Sequence, residues 1–215
     1  MSDFIVLPAY NEGSRIQPIL KQIKKITKNI IVVDDGSKDN TVGLVKQLGI
    51  TVLEHGMNLG KGAALRTGCE YAVQQGAKNI VVMDSDGQHD PKNIPQFLEA
   101  LKDVEIVYSH RQGAGRQPGV LRFGNNFINN TLKFLFGTKI NDSQCGFRAF
   151  TAEAYQKIKW EATDYYMETE MIIRASRTGL KYKQIPIDLI YADKYKGTTV
   201  LDGVKIVLKI VGGRF

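Results

Sequence analysis

Cysteine is scarce: the 215 residues contain only Cys69 and Cys145, and these lie in unlike sequence surroundings. Two cysteines so placed argue against a disulfide or a cysteine metal site, and two buried thiols in a reducing cytosol are expected. Long hydrophobic runs are missing too. No wholly apolar stretch exceeds five residues, against the roughly 20 that a membrane-crossing helix needs. The apolar stretch Phe4–Leu7 is too short for the hydrophobic region of a secretory signal and runs straight into a polar turn, so no cleaved leader is expected. The sequence shows no internal repeat and no low-complexity linker, which makes one domain over 1–215 the economical reading. Zinc-ligand spacings, a recognition-helix pattern and interleaved aromatic and basic residues are absent. That argues against a nucleic-acid-binding module despite an isoelectric point near 9.3.

What the chain has in excess is positive charge, unevenly spread. Of the net +7, residues 1–107 hold 12 Lys/Arg against 13 Asp/Glu, whereas residues 108–215 hold 17 against 9. The first half is close to neutral and the second strongly basic. Such a split implies an anionic partner for the second half: a phosphate group, a lipid surface or nucleic acid.

The stretch from Asn79 to Pro91 carries the strongest chemical signal. Ile80-Val-Val-Met83 reads as a strand buried on both faces, and it stops abruptly at Asp84, with Asp86 two positions on and Gln88 and His89 just beyond. In extended backbone, residues two apart point the same way, so both carboxylates can face one ligand. Two acids without a cationic neighbour in sequence repel, and a hard divalent cation relieves that repulsion. The pattern suggests Mg²⁺ or Mn²⁺ carrying a phosphate-bearing substrate. On spacing alone, a polar turn with an Asp helix cap explains it as well.

Elsewhere strands and helices alternate. Strands are expected at Phe4–Leu7, Ile30–Val33, Thr51–Leu53, Asn79–Met83 and Val104–Tyr108. Helices are expected from a Ser14 cap to about Lys28, from Asp39 or Asn40 to Leu48, over Gly60–Gln75 and over Ile94–Leu101. This alternation means an α/β fold with a largely parallel sheet flanked by helices. Ligands in such sheets sit at the carboxyl ends of strands. Three strands end there in Tyr10 and Glu12, Asp34 and Asp35, and Asp84 and Asp86. The segment Gly56–Gly62 fails as a phosphate-binding P-loop, because it has three residues between the first glycines rather than four and no Ser or Thr after Lys61. Its glycines fit either anion binding at a helix start or tight packing of the turn. Beyond Tyr108 the pattern is less regular: a Gly-rich stretch Gly113–Gly119, a helix from Arg122 to Phe136, a turn and strand within Asn141–Phe150, a helix Glu168–Arg177 and a strand Tyr182–Tyr191.

Taken together, Phe4-Ile-Val-Leu-Pro-Ala-Tyr-Asn-Glu12, Ile31-Val-Val-Asp-Asp-Gly-Ser37, Asn58-Leu-Gly-Lys-Gly62, Asp84-Ser-Asp-Gly-Gln-His89 and Gln144-Cys-Gly-Phe-Arg-Ala-Phe150 resemble the family 2 glycosyltransferases of GT-A fold. The nearest resemblance is to the dolichol-phosphate mannosyltransferase and polyprenyl-phosphate glycosyltransferase group, over about residues 3–190. It implies a nucleotide-sugar-binding half (1–107), an acceptor half (108–199) and a C-terminal amphipathic helix (200–215). It implies that Pro8, Tyr10, Glu12 and Asp34 hold the nucleoside. Asp84, Ser85 and Asp86 would meet the diphosphate, with Asp84, Asp86 and Gln88 around the metal. Arg111, Arg122 and Lys194 would act near phosphates and the acceptor, alongside Asp86. Arg148 reads instead as a local ion-pair former. Near the C-terminus, Lys194-Tyr-Lys-Gly-Thr-Thr-Val200 departs from the Arg and Gly-x-Ser-Lys pattern of the mannosyltransferases, so the sugar is not specified.

The resemblance implies inverting transfer of a hexose from a GDP-mannose or UDP-glucose type of donor. A polyprenyl or dolichyl phosphate acceptor would need cations and no general base, whereas a saccharide hydroxyl would need a base, for which Glu168 and Glu170 are candidates. Both acids also fit a helix N-terminus, where the dipole favours them. A sugar nucleotidyltransferase would carry a Gly-rich signature with Arg and Lys after the first strand, where Pro8–Glu12 stands. Residues 200–211 form an apolar stripe with Lys205 and Lys209 on another face. Twelve helical residues span about 18 Å, too short to cross a bilayer, so the stripe either lies in the interface or packs on the sheet or on a second copy. The expected place of the protein is the cytoplasm, peripheral on the cytoplasmic face of a membrane, with a homo-oligomer possible.

Overall fold

The computed structural model of this chain describes residues 2–112, 119–188 and 190, with Ile206, Ile210 and Gly212, and the backbone alone for 119–123. The expectations placed on residues 113–118, on Lys194, on the end of the last strand and on most of 200–215 lie outside the described residues.

One seven-stranded sheet organises the rest. Its strands are β1 (Ser2–Ala9), β2 (Ile30–Asp34), β3 (Thr51–Glu54), β4 (Ala77–Val82), β5 (Ile106–Arg111), β6 (Arg148–Thr151) and β7 (Tyr182–Ile187), in the spatial order β3-β2-β1-β4-β6-β5-β7. All neighbouring pairs are parallel except the two that β6 makes with β4 and β5. Because β6 runs backwards, its first residue, Arg148, lies at the edge where the other six strands end. The helices are α1 (Ile16–Ile23), α2 (Thr41–Lys46), α3 (Lys61–Gln74), α4 (Ile94–Ala100), α5 (Gly119–Phe136), α6 (Ala152–Ile158) and α7 (Tyr166–Arg177).

The apolar runs are buried on both faces, as uninterrupted hydrophobic strands should be. Phe4, Val6, Ile31, Val33, Ile80 and Val82 face the layer containing α3, α5, α6 and α7. Ile5, Leu7, Ile30, Val32, Val81 and Met83 face α1, α2 and α4. Ile206 and Ile210, the two described residues of the C-terminal stripe with defined helical backbone, are buried in the first of these layers. Among the described residues no helix is long and apolar enough to cross a membrane.

Three local expectations are corrected. Ser14 does not cap α1: the N–H groups of Arg15 and Ile16 both reach the Glu12 carbonyl, and no side chain caps the helix. That helix stops at Ile23 rather than Lys28, because Asn29 already accepts from Ile5 N–H at the sheet. Helix α6 has no counterpart in the sequence reading; Thr151 caps it, its side chain accepting from Ala154 N–H.

Close helix–sheet packing sets the position of α3. A Cβ at Gly68 would lie 2.4 Å from a Val6 methyl and 2.9 Å from a Val33 methyl. Gly68→Val should therefore destabilise the fold by about 1–3 kcal/mol through overpacking. The gain from replacing a helical glycine is smaller than this. Urea unfolding measures it, and an unchanged midpoint would contradict this account of the packing.

Candidate active site

Strand order reverses between β1 and β4, so a crevice opens where their carboxyl ends diverge. Ser85 bridges it, its hydroxyl donating to the Pro8 carbonyl at 2.6 Å. The loops after β1 and β2 are laced together beside this bridge. Asn11 N–H donates to Ser37 Oγ, Glu12 N–H to Thr41 Oγ1 and Gly13 N–H to Asp39 Oδ2, while Lys38 N–H donates to Asn11 Oδ1. Asn11 takes a left-handed conformation (φ 54°), which asparagine tolerates better than most residues. The result places Pro8, Tyr10, Glu12 and Asp34 around one mouth. Tyr10 is exposed and Glu12 buried with Arg15 3.5 Å away. Asp34 is buried; its Oδ2 accepts from Ser37 N–H, and its buried Oδ1 has no hydrogen-bond partner among the described residues. A buried acceptor left this way costs free energy unless a ligand donor meets it.

Asp35, beside it, has a different task. Its carboxylate accepts from Leu59 N–H, Gly60 N–H and His55 Nδ1, so it pins the turn before α3. That turn decides between the two readings of the glycines. Gly62 and Ala63 N–H donate to the Thr163 carbonyl. A Cβ at Gly60 or Gly62 would come within 2.3 Å of the Thr163 or Ala162 carbonyl oxygen. Gly60 is also left-handed, at φ 98°. The glycines allow close approach of residues 162–164, and the amides an anion would need are taken.

The purpose of that packing is Lys61. Its ammonium lies 2.6 Å from Asp84 Oδ1 and 2.9 Å from Glu168 Oε1, largely shielded from water. The acid pair is therefore not without a cation, as the sequence spacing suggested; the cation comes from a helix 23 positions upstream. Burial opposes ionisation of Asp84, but Lys61, with help from His89 and Arg148, outweighs it and holds the carboxyl below the usual aspartate range. Burial likewise opposes the Lys61 charge, and the two carboxylates more than restore it. Asp86 goes the other way: burial and the Asp84 charge push its pKa up, against its hydrogen bond from Gln88 N–H. Burial holds the His89 pKa below its ordinary value, against the pull of both aspartates. Gly146 leaves room for the ion pair, since a Cβ there would sit 2.7 Å from both Asp84 Oδ2 and Lys61 Nζ. Nothing in the linear sequence brings Lys61 or Gly146 to Asp84, so the motifs that contain them assign neither a role.

Arg148 is not the local ion-pair former expected. It is fully buried and donates to the carbonyls of Ser143, Cys145 and Glu168 at 2.6, 3.0 and 2.6 Å, lying against the Tyr108 ring. It ties the turn before β6 to the first turn of α7, and so fixes Glu168. Glu168 is buried, with Oε2 lacking a hydrogen-bond partner among the described residues. Glu170 accepts from Glu161 N–H, Ala162 N–H and Arg174 Nε. Arg111, at the end of β5, is held by Asp142, its Nη2 at 2.8 Å from Oδ1; Asp142 also accepts from Asn125. Arg122 lies on α5, which starts three residues earlier than expected, with its side chain outside the described set. The half-buried Gln88 joins the acid loop to the chain beyond β7, its carbonyl accepting from Ile190 N–H.

Lys61→Met should leave two buried carboxylates without their cation. Breaking a buried pair costs about 3–5 kcal/mol, and the partial exposure of Asp84 reduces this to about 2–3. Because the native pKa of Asp84 is lowered, this stabilisation is present above its ordinary 3.8 and is lost as pH falls through the native value. Unfolding of both proteins from pH 7 to acid should show the gap closing, and a gap independent of pH would refute the assignment.

The family model described as Glycosyl transferase family 2 matches residues 4–159. The UDP-N-acetylglucosamine–dolichyl-phosphate N-acetylglucosaminyltransferase of Methanococcus voltae is 30% identical over 236 residues, covering 97% of this chain and 94% of that protein. The polyprenol monophosphomannose synthase of Mycolicibacterium smegmatis is 27% identical over 218 residues, covering 94% and 82%. A crystal structure of glucosyl-3-phosphoglycerate synthase from Mycobacterium tuberculosis with UDP superposes with a TM-score of 0.80 at 21% identity, over 98% of this chain and 80% of that one, a likeness of GT-A fold. With the family match spanning most of the sheet and every strand end that carries the acids, this chain belongs to glycosyl transferase family 2 and is a glycosyltransferase.

Proposed function

We propose that this glycosyltransferase moves a hexose or N-acetylhexosamine, with inversion, from a nucleoside diphosphate sugar to a polyprenyl phosphate on the cytoplasmic face of a membrane. The observation that carries the acceptor is the engagement of both candidate bases. A hydroxyl acceptor must lose its proton to a general base, yet Glu168 pairs through Oε1 with Lys61 and keeps its Oε2 buried from solvent, and Glu170 holds two backbone N–H groups and Arg174. A polyprenyl phosphate oxygen is already ionised at neutral pH and needs cations instead. The names of the Methanococcus and Mycolicibacterium relatives, which specify dolichyl phosphate and a polyprenol product, support the same class.

On the donor side, the partnerless Oδ1 of Asp34 would accept from the nucleoside, with Tyr10 and Glu12 beside it and Pro8 and Ser85 shaping the floor. A divalent cation, Mg²⁺ or Mn²⁺, fits the residues present. Asp84 and Asp86 offer hard oxygen donors, and the raised pKa of Asp86 reflects a buried acid short of positive charge. Among the described residues no three His, Cys, Asp or Glu side chains form a metal cluster, so substrate phosphates would complete the shell, as they commonly do for Mg²⁺. Asp84 and Asp86, with Gln88 beside them, would hold the ion. Once bound, it supplies Lewis-acid stabilisation of charge on the leaving diphosphate. The M. tuberculosis fold relative has been crystallised with Mn²⁺ and UDP, which supports this choice. The chain's own residues do the positioning: Lys61 keeps Asp84 ionised and aimed, Arg148 holds the turn opposite, and Arg111, Arg122 and Lys194 supply positive charge for the acceptor phosphate.

Transfer from UDP-GlcNAc, UDP-glucose and GDP-mannose to a short polyprenyl phosphate, against a set of saccharides, tests the reading. Product on the lipid phosphate is expected, and product on saccharide hydroxyls alone would overturn it. Asp86→Asn should abolish Mn²⁺-dependent donor binding in calorimetry. It should also stabilise the free protein by about 0.5–2 kcal/mol at pH 7, because a buried charge beside Asp84 disappears. Metal-dependent affinity that survives in this variant would remove Asp86 from the site.

A further inference from the structure

Helix α5 presents an apolar outer face that the fold does not use. Its inner side is fully engaged: Ile128 and Leu132 are buried, Asn125 donates to Asp142, and Asn129 donates to the Asn141 carbonyl. Outside, Phe134 is 88% exposed, Phe127 50% and Leu135 48%. Nine large hydrophobic residues are exposed among those described, and three of them fall within this one stretch of nine positions. Phe127 and Phe134 are seven apart, hence on one face about 10 Å apart along the helix. The 18 residues of α5 contain no acid, while Lys133 and, just past the helix, Lys139 are exposed. An exposed Phe and Leu face, rimmed by asparagine and lysine and free of carboxylates, has the chemistry of a helix lying in a bilayer interface.

We propose that the Phe127–Phe134 face of α5 docks this protein on an anionic lipid surface. The inference rests on the lipid-phosphate acceptor above and names the partner surface. This face is separate from the C-terminal stripe, beside which Ile206 and Ile210 are buried in the core. The helix is placed to serve the site. Asn125, two residues before Phe127 and on the inner side of the helix, shares Asp142 with Arg111 at the end of β5. A phosphate brought to Arg111 would therefore lie beside the helix that carries the apolar face. Charge favours a lipid over a second copy of this chain: a self-interface would bring the lysines of two basic halves together, whereas anionic headgroups neutralise them.

The test uses the full chain and vesicles of phosphatidylcholine with or without phosphatidylglycerol. The native protein should co-sediment with the anionic vesicles. Phe127→Ser combined with Phe134→Ser should weaken this at least about tenfold, a loss of about 1.4 kcal/mol. Its melting temperature and donor binding should be unchanged. Lys133→Glu should weaken binding to anionic vesicles and leave neutral ones unaffected. Transfer to a short, water-soluble polyprenyl phosphate should be the same in the double variant and the native chain. Equal sedimentation of native and double variant overturns the docking face. So does a native dimer, seen by analytical ultracentrifugation, that the double variant dissolves without loss of vesicle binding. If the native chain ignores polyprenyl phosphate in either form but the vesicle difference persists, docking stands and the acceptor reading falls.

Discussion

The ammonium of Lys61, bridging Asp84 at 2.6 Å and Glu168 at 2.9 Å, is the interaction on which the site's geometry depends. It joins three segments distant in sequence: the start of α3, the end of β4 and the first turn of α7. Without it, two carboxylates would repel each other across a poorly hydrated gap. With it, Asp84 stays ionised at the strand end, while Asp86, two residues on, carries the unrelieved share of the repulsion. One acid is thus anchored and its neighbour left short of positive charge, an arrangement suited to receiving a second cation from outside.

Much of the surrounding structure keeps this lysine where it is. Asp35 fixes the turn before α3 through two backbone N–H groups, and Trp160 donates to the Gly62 carbonyl at 2.8 Å. The carbonyls of residues 162 and 163 approach so closely that only glycine fits at positions 60 and 62. From the other side, Arg148 draws three carbonyls together, and Gly146 leaves space for the pair. Buried arginine bonded to backbone rather than to carboxylate keeps its positive charge available to the acids at longer range.

The mouth of the crevice divides by chemistry. Its β1–β2 side is built from loops laced by side-chain hydrogen bonds and offers the partnerless acceptor of Asp34. Its β5 side offers Arg111 on Asp142, with α5 leading away from it and the exposed Phe face beyond. The charge imbalance of the sequence runs in the same sense, since residues 1–107 are near neutral and residues 108–215 basic.

The sheet, its functional edge and the acids on it were legible in the linear pattern of residues. Short uninterrupted apolar runs such as Ile30–Val33 and Ile80–Met83, each stopped by an acid and alternating with helical segments, read as strands covered on both faces, and parallel winding then puts Asp34, Asp84 and Asp86 at one end. Local pattern failed where the cause was not local. Helix α6 is too short for periodicity to declare it, and Ser14 lost its capping role to a backbone carbonyl of Glu12. Only the tertiary structure decided what the charged residues do. Lys61, Arg148 and Glu168 are separated by 20 to 107 positions and meet only because β6 runs backwards into a parallel sheet. Whether a buried charge finds a carboxylate, a carbonyl or nothing is set by that crossing, and no spacing along the chain encodes it.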